Sequence, residues 1–415
     1  MLGLFSFNKS IASLSVAMRQ YLLITANYWA FTLTDGALRM LMVLYFHQLG
    51  YSPLNIAMLF LFYEIFGVVT NLVGGWLGAK LGLNKTMNIG LALQIIALVM
   101  LCVPIEMLSI IYVMAAQALS GIAKDLNKMS AKSAIKVLLP ENSEGKLYQW
   151  VATLTGSKNA LKGIGFFLGG VLLSNLGFQG ALWVMATALT CVWLLSLLLL
   201  KSDLGKSKNK PKFSELFSKS PAINALSAAR LFLFAARDVW FVVALPVYLA
   251  MQFKWDHWWV GGFMACWIIG YGIVQTLAPR FTGKTQGLLP TGKTAFKWAV
   301  YLSVLPTCIA VALITDFYPE QSLIIGLLVF GAIFAVNSSL HSYLIVSYAD
   351  QQNVSLDVGF YYMANAMGRL LGTVLSGWVF QYAGLQACLL ISTSFIVLAA
   401  IISTQLPNKN ANLIL

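Results

Sequence analysis

From Ala181 to Leu200 the chain runs for twenty residues without a charged side chain. At about 1.5 Å of rise per residue, an α-helix of that length spans the ~30 Å hydrocarbon of a bilayer. Runs like it recur. Bounded by polar residues, glycine or proline, they fall at 21–48, 54–79, 86–104, 109–130, 147–174, 179–200, 222–252, 257–279, 298–315, 321–347, 356–382 and 385–405. Backbone polar groups inside a bilayer must bond within the protein, so runs this long are helices; barrel strands alternate over only ~10 residues. The expected fold class is an all-α membrane protein with twelve transmembrane helices in two pseudo-symmetric six-helix bundles. The charged fraction of 10% excludes an ordinary soluble domain, for which about 25% is usual.

One connection stands apart. Lys201–Pro221 holds six lysines and two prolines, and it divides the chain into an N-terminal bundle (1–200), a linker (201–221) and a C-terminal bundle (222–415). Lys9, Arg19, Lys80, Lys85, Lys136, Lys146, the linker lysines, Arg280, Lys284, Lys293 and Lys297 fall on one set of connections. The opposite set has Lys254 alone, beside Glu106, Asp256, Asp316 and Glu320. Basic loops stay cytoplasmic, so both termini and the linker are expected there. The net charge of +13 is read the same way, and no nucleic-acid partner is expected; the lipid bilayer is the partner. The N-terminal stretch Met1–Met18 lacks a basic region followed by a small-residue cleavage site, so the first run is expected to serve as an uncleaved insertion signal.

The halves resemble each other. Phe31, Asp35 and Tyr45 recur as Phe234, Asp238 and Tyr248, 203 positions later, and Gly67, Gly165 and Gly169 meet Gly270, Gly368 and Gly372 at the same offset. Leu176–Leu182 is also echoed by Ala383–Leu389. Parallel repeats of six helices place a substrate site between them near the middle of the membrane.

Charge inside the runs carries the functional argument. Eight basic residues lie within them: Arg39, Lys124, Lys128, Lys158, Lys162, Arg230, Arg237 and Arg369. Apart from Asp357 at the very start of the eleventh run, four acidic ones do: Asp35, Glu64, Asp125 and Asp238. A cation in hydrocarbon costs at least ~2.5 kcal/mol on insertion scales, so a positive surplus there is expected to face a cavity and an anion. Lys158, Arg237 and Arg369 lie too deep to reach the surface, whereas Lys128 and Arg230 are within snorkelling reach. Lys132 and Lys136 continue the Lys124–Lys128 stripe and read as cytoplasmic charge. Arginine offers an oxyanion a planar fork and lysine a mobile point charge. Asn127, Ser157, Asn159 and Asn365 are candidate polar partners. The spacings Asp35–Arg39 and Asp125–Lys128 fit helical ion pairs. Glu64 has no basic neighbour in sequence, and it, Asp35, Asp125 and Asp238 are the candidate proton carriers. The five cysteines are scattered singly, and no metal-ligand spacing, phosphate loop or nucleophile elbow occurs; neither an enzyme nor a cofactor nor a metal is expected.

Gly75–Gly82 resembles the motif between the second and third helices of the major facilitator superfamily, with Ala79 where that family usually has aspartate. Gly169–Gly170 resembles its antiporter motif, with Phe166 in place of proline. More closely, Asn27–Arg39, Gly121–Lys132, Leu154–Lys162 and Ala236–Phe241 resemble the ArsJ organoarsenical efflux permeases of that superfamily. The resemblance implies a multi-pass protein of the bacterial inner membrane. It implies export of 1-arseno-3-phosphoglycerate, giving arsenate resistance, and a functional link to glyceraldehyde-3-phosphate dehydrogenase, which makes that ester from arsenate. Proton antiport is the expected coupling. The alternative is an organophosphate importer that exchanges for inorganic phosphate, served by Arg39 with Arg230 or Arg237.

Overall fold

A computed structural model describes residues 15–51, 59–140, 144–200, 204–206, 220–255, 257–282, 289–351 and 354–407. Every regular element among them is helical: α1 (Val16–Gln48), α2 (Leu61–Leu81), α3 (Leu83–Met100), a short 3-10 turn, α4 (Ile110–Leu138), α5 (Glu144–Leu199), α6 (Pro221–Phe241), α7 (Ala244–Gln252), α8 (His257–Phe281), α9 (Gly292–Ile314), α10 (Pro319–Tyr348) and α11 (Val354–Ser403). Most of the linker (201–203 and 207–219), residues 1–14 with Lys9, the start of the second run, Asp256 and Lys284 lie outside the described residues.

Helices α5 and α11, of 56 and 50 residues, are each long enough to cross twice. Each bends once, at Gly177 (φ 68°) and Gly384 (φ 75°), in the left-handed region where a side chain would be strained. These bends separate the fifth from the sixth apolar run and the eleventh from the twelfth, and α6 with α7 makes up the seventh. The α6–α7 break has a local cause. Pro246, in the first turn of α7, cannot donate to the carbonyl four residues back. The amides of Val243 and Ala244 turn instead to Ser376 Oγ on α11 at 3.3 and 3.1 Å.

The repeat is real in α5 and α11, but its register differs from the offset of 203. The bend glycines lie 207 apart. Gly165 packs on the backbone of Leu33–Ala37 in α1, and the glycine that packs on Ala235–Val239 in α6 is Gly372, not Gly368. Glycine spacing alone misses this by one helical turn, because glycines a turn apart lie on the same face.

The apolar cores show how the halves meet. Call the end where the linker joins α5 to α6 the linker end. There a single core takes in Tyr28, Met129 and Val151 from one half and Leu226, Leu340 and Tyr361 from the other. Toward the far end the core divides in two, one built from residues 31–189 and one from 233–400. Glycines let the halves touch: a Cβ on Gly359 would stand 2.7 Å from the Asn71 carbonyl of α2, and one on Gly272 would stand 2.6 Å from the Gly156 carbonyl of α5. The bundle is closed at its linker end.

Candidate functional site

Two long helices, α1 and α4, are absent from the set apolar enough by composition to cross a membrane. They carry Asp35, Arg39, Lys124, Asp125 and Lys128. Their polar faces meet side chains of α2, α5 and α11.

The carboxylates organise this cleft. Asp35 accepts from Tyr63 Oη at 2.7 Å and pairs with Lys162 Nζ at 3.7 Å. The expected Asp35–Arg39 pair along α1 is not formed; Arg39 reaches Glu64 at 3.2 Å instead. Packing between helices has overridden the spacing within one. Glu64, without a basic neighbour in sequence, also takes Arg369 of the other half at 3.1 Å. Arg369 in turn reaches Asp238 at 3.4 Å, and Arg237 holds the other oxygen of Asp238 at 2.5 Å. Asp125 pairs with Lys128 at 2.5 Å, as its spacing predicts, and with Lys124 at 3.7 Å. A chain of charge, Arg39–Glu64–Arg369–Asp238–Arg237, therefore crosses from half to half. In each half an acid of the first helix meets a base on the long helix before its glycine bend, Asp35 with Lys162 and Asp238 with Arg369.

Asp238 is buried, but three members of this chain are not sealed. Arg39, Glu64 and Arg369 keep 28, 30 and 32% of their side-chain surface exposed. Aromatic faces hold the cations in place by cation–π attraction. Lys124 lies 3.8 Å from the Tyr63 ring centroid, Arg39 lies 4.8 Å from the same ring, and Arg237 lies 4.8 Å from that of Phe234.

Of the eight basic residues within the apolar runs, two form no ion pair with a carboxylate among the described residues. Lys158 finds only Asn159 Oδ1, at 3.3 Å, and it stands within electrostatic reach of Lys162, Lys128, Asp35 and Arg369. Arg230 donates to Asn365 at 2.9 Å and to the carbonyl and hydroxyl of Ser338 at 3.1 Å. It does not snorkel to the surface: it is buried, its guanidinium 4.0 Å from the Phe234 ring.

Of the amides, Asn159 bridges the halves by donating to Gln275 at 2.6 Å, and Asn365 braces Arg230. Asn127 does not join them. It donates to the Ala123 carbonyl and presses on Gly90 of α3, inside its own half. Ser157 is occupied by the Thr153 carbonyl and the Trp29 indole.

Lys132 is corrected most. It reads as cytoplasmic charge, yet α4 runs eight residues past the expected end at 130 and carries Lys132 into the seam, buried and donating to Tyr362 Oη. Lys136 lies half-buried there too, donating to the Ser347 and Ala349 carbonyls. Tyr63 and Tyr362 also escape sequence reading, and Phe234 is legible only as a repeat mate; Ser338 belongs to the polar stretch Asn337–Ser342 of the tenth run, which reads as polar enough to line a path. Tyr362 had a legible signal, standing two turns before Arg369 on the same face of α11.

The sequence profile of the Major Facilitator Superfamily matches residues 22–353. Comparison with curated proteins finds no match. Among solved structures, the human organic anion transporter TETRAN superposes with a TM-score of 0.74 at 15% identity, over 94% of this chain and 100% of that one. The E. coli fucose:proton symporter FucP gives 0.72 at 14%, over 93 and 99%. A bacterial homologue of the iron transporter ferroportin, in an outward-facing state, gives 0.71 at 13%, over 92 and 98%. At such identities the likeness speaks to the fold.

Proposed function

The chain belongs to the Major Facilitator Superfamily, and on that footing we propose that this secondary transporter exports a multiply charged organic oxyanion, 1-arseno-3-phosphoglycerate, by proton antiport, with arsenate resistance as the outcome. One observation carries the reading. Lys158 and Arg230 are basic, interior and without an ion-paired carboxylate, among ion pairs whose four acids are already shared among six other cations. Uncompensated cations away from water are costly, and an anion relieves that cost. Arginine forks and lysine ammonium groups are the donors a phosphate or arsenate ester recruits.

The supplying reaction is the dehydrogenase step that esterifies arsenate, and pentavalent arsenic as an oxyanion calls for these hard donors rather than thiols. With both termini in the bacterial cytoplasm, the closed linker end is the cytoplasmic gate, and the cleft opens outward. Asp35, Glu64, Asp125 and Asp238 are the candidate proton carriers.

Inside-out vesicles test the reading. Substrate generated by glyceraldehyde-3-phosphate dehydrogenase and arsenate outside the vesicle should accumulate inside, faster with an acidic interior. Uptake of organophosphates alone, in exchange for inorganic phosphate, would favour the importer reading. Uptake indifferent to a pH gradient would remove the proton from the scheme.

A further inference from the structure

Lys132 and Arg230 are each only 3% exposed, and neither has a carboxylate partner among the described residues. They bracket one stretch of α11 from opposite halves. Lys132 of α4 donates to Tyr362, and Arg230 of α6 lies 5.3 Å from the Tyr361 ring and donates to Asn365. Lys128 stands on the same Tyr362 ring at 4.7 Å. Polar capacity around them is unspent. His341 Nδ1 and both amide atoms of Asn337 on α10 are buried without a hydrogen-bond partner, and His341 is within electrostatic reach of Arg230. A latch needs a hydrogen bond; it does not need two buried like charges with orphaned polar groups beside them.

Resting on the anion-transport reading, we infer that Lys132 and Arg230 form a second oxyanion subsite at the linker end of the cleft, exposed when that end opens, for the far anionic group of a two-headed substrate. The nearer group belongs to the cations around Lys158 and Lys162. Along α4, Lys132 lies two helical turns from Lys124, or about 12 Å at the helical rise. Along α6, Arg230 lies about 10 Å from Arg237. Both helices thus present cations at two levels, so a molecule with one anionic group satisfies one level and leaves the other uncompensated. In the closed state Tyr362 occupies Lys132 in place of the anion, so release of the far group and closure of the linker end become one event.

Binding to the purified full chain in lipid nanodiscs tests this, with two unreactive probes. One is propane-1,3-bisphosphonate, with two anionic groups; the other is glycerol 3-phosphate, with one. Wild type should bind the bisphosphonate at least tenfold more tightly. Lys132→Gln should weaken the bisphosphonate at least tenfold and glycerol 3-phosphate less than twofold, and Arg230→Lys should act in the same direction. Tyr362→Phe, which frees the ammonium and leaves both charges, should weaken neither. If Tyr362→Phe and Lys132→Gln act alike, Lys132 is a latch only and the subsite falls. If wild type binds the two probes equally, the subsite falls while the anion reading stands. If it binds neither, the anion reading falls as well.

Discussion

The two halves present their positive charge differently. Apart from Arg39, the N-terminal half uses lysines, Lys124, Lys128, Lys158 and Lys162, and the C-terminal half uses arginines, Arg230, Arg237 and Arg369. The arginines are braced. Arg230 makes three hydrogen bonds to Asn365 and Ser338, and Arg369 spans Glu64 and Asp238. Lys158 has one long contact to its neighbour Asn159. A guanidinium fixed in a fork sets direction, whereas an ammonium on a flexible stem follows a charge as it moves. The difference assigns orientation of the bound anion to the C-terminal half and adaptable neutralisation to the N-terminal half.

That division can be broken by experiment. Lys158→Met should reduce vesicle uptake about 100-fold, the loss of a charged hydrogen bond with nothing to replace it, while insertion measured by membrane fractionation stays normal. Normal uptake would remove Lys158 from the site. Arg369→Lys should cost about 30-fold, because one ammonium cannot span Glu64 and Asp238 as a fork does. An effect no larger than that of an exposed lysine swap would mean the half-to-half charge chain is idle.

Exchanging residue types sharpens the contrast. Arg230→Lys should lower affinity about tenfold and Lys158→Arg only about threefold, since bracing matters in one half and charge in the other. The reverse order, read by substrate competition, would overturn the comparison. Glu64→Gln should have the smallest effect on binding, about twofold, yet gradient-driven uptake should be lost while exchange at equal pH persists. Retained pH-driven uptake would exclude Glu64 as a proton carrier.

Legibility followed the range of the interaction. Asp125–Lys128 was readable because i and i+3 share a helix face. Asp35–Arg39 had equally good spacing and did not form, since α5 brings Lys162 to Asp35 and α2 brings Glu64 to Arg39. Glu64 looked partnerless because both its arginines come from other helices, one of them 305 positions away. Lys132 looked cytoplasmic because it continues the lysine stripe past the expected end of the fourth run; in the structure α4 continues too and turns Lys132 and Lys136 into the seam.

The sequence by itself determined the helices, their number of crossings and the surplus of positive charge, because a bilayer imposes length and apolarity on each segment independently. The bends at Gly177 and Gly384 are local in cause, each set by a residue free to take positive φ. Only the tertiary structure decided which cation meets which carboxylate, which end of the bundle shares a core, and that Lys132 and Arg230 are sealed together. Those outcomes depend on helices distant in sequence arriving side by side, and no local pattern encodes that arrival.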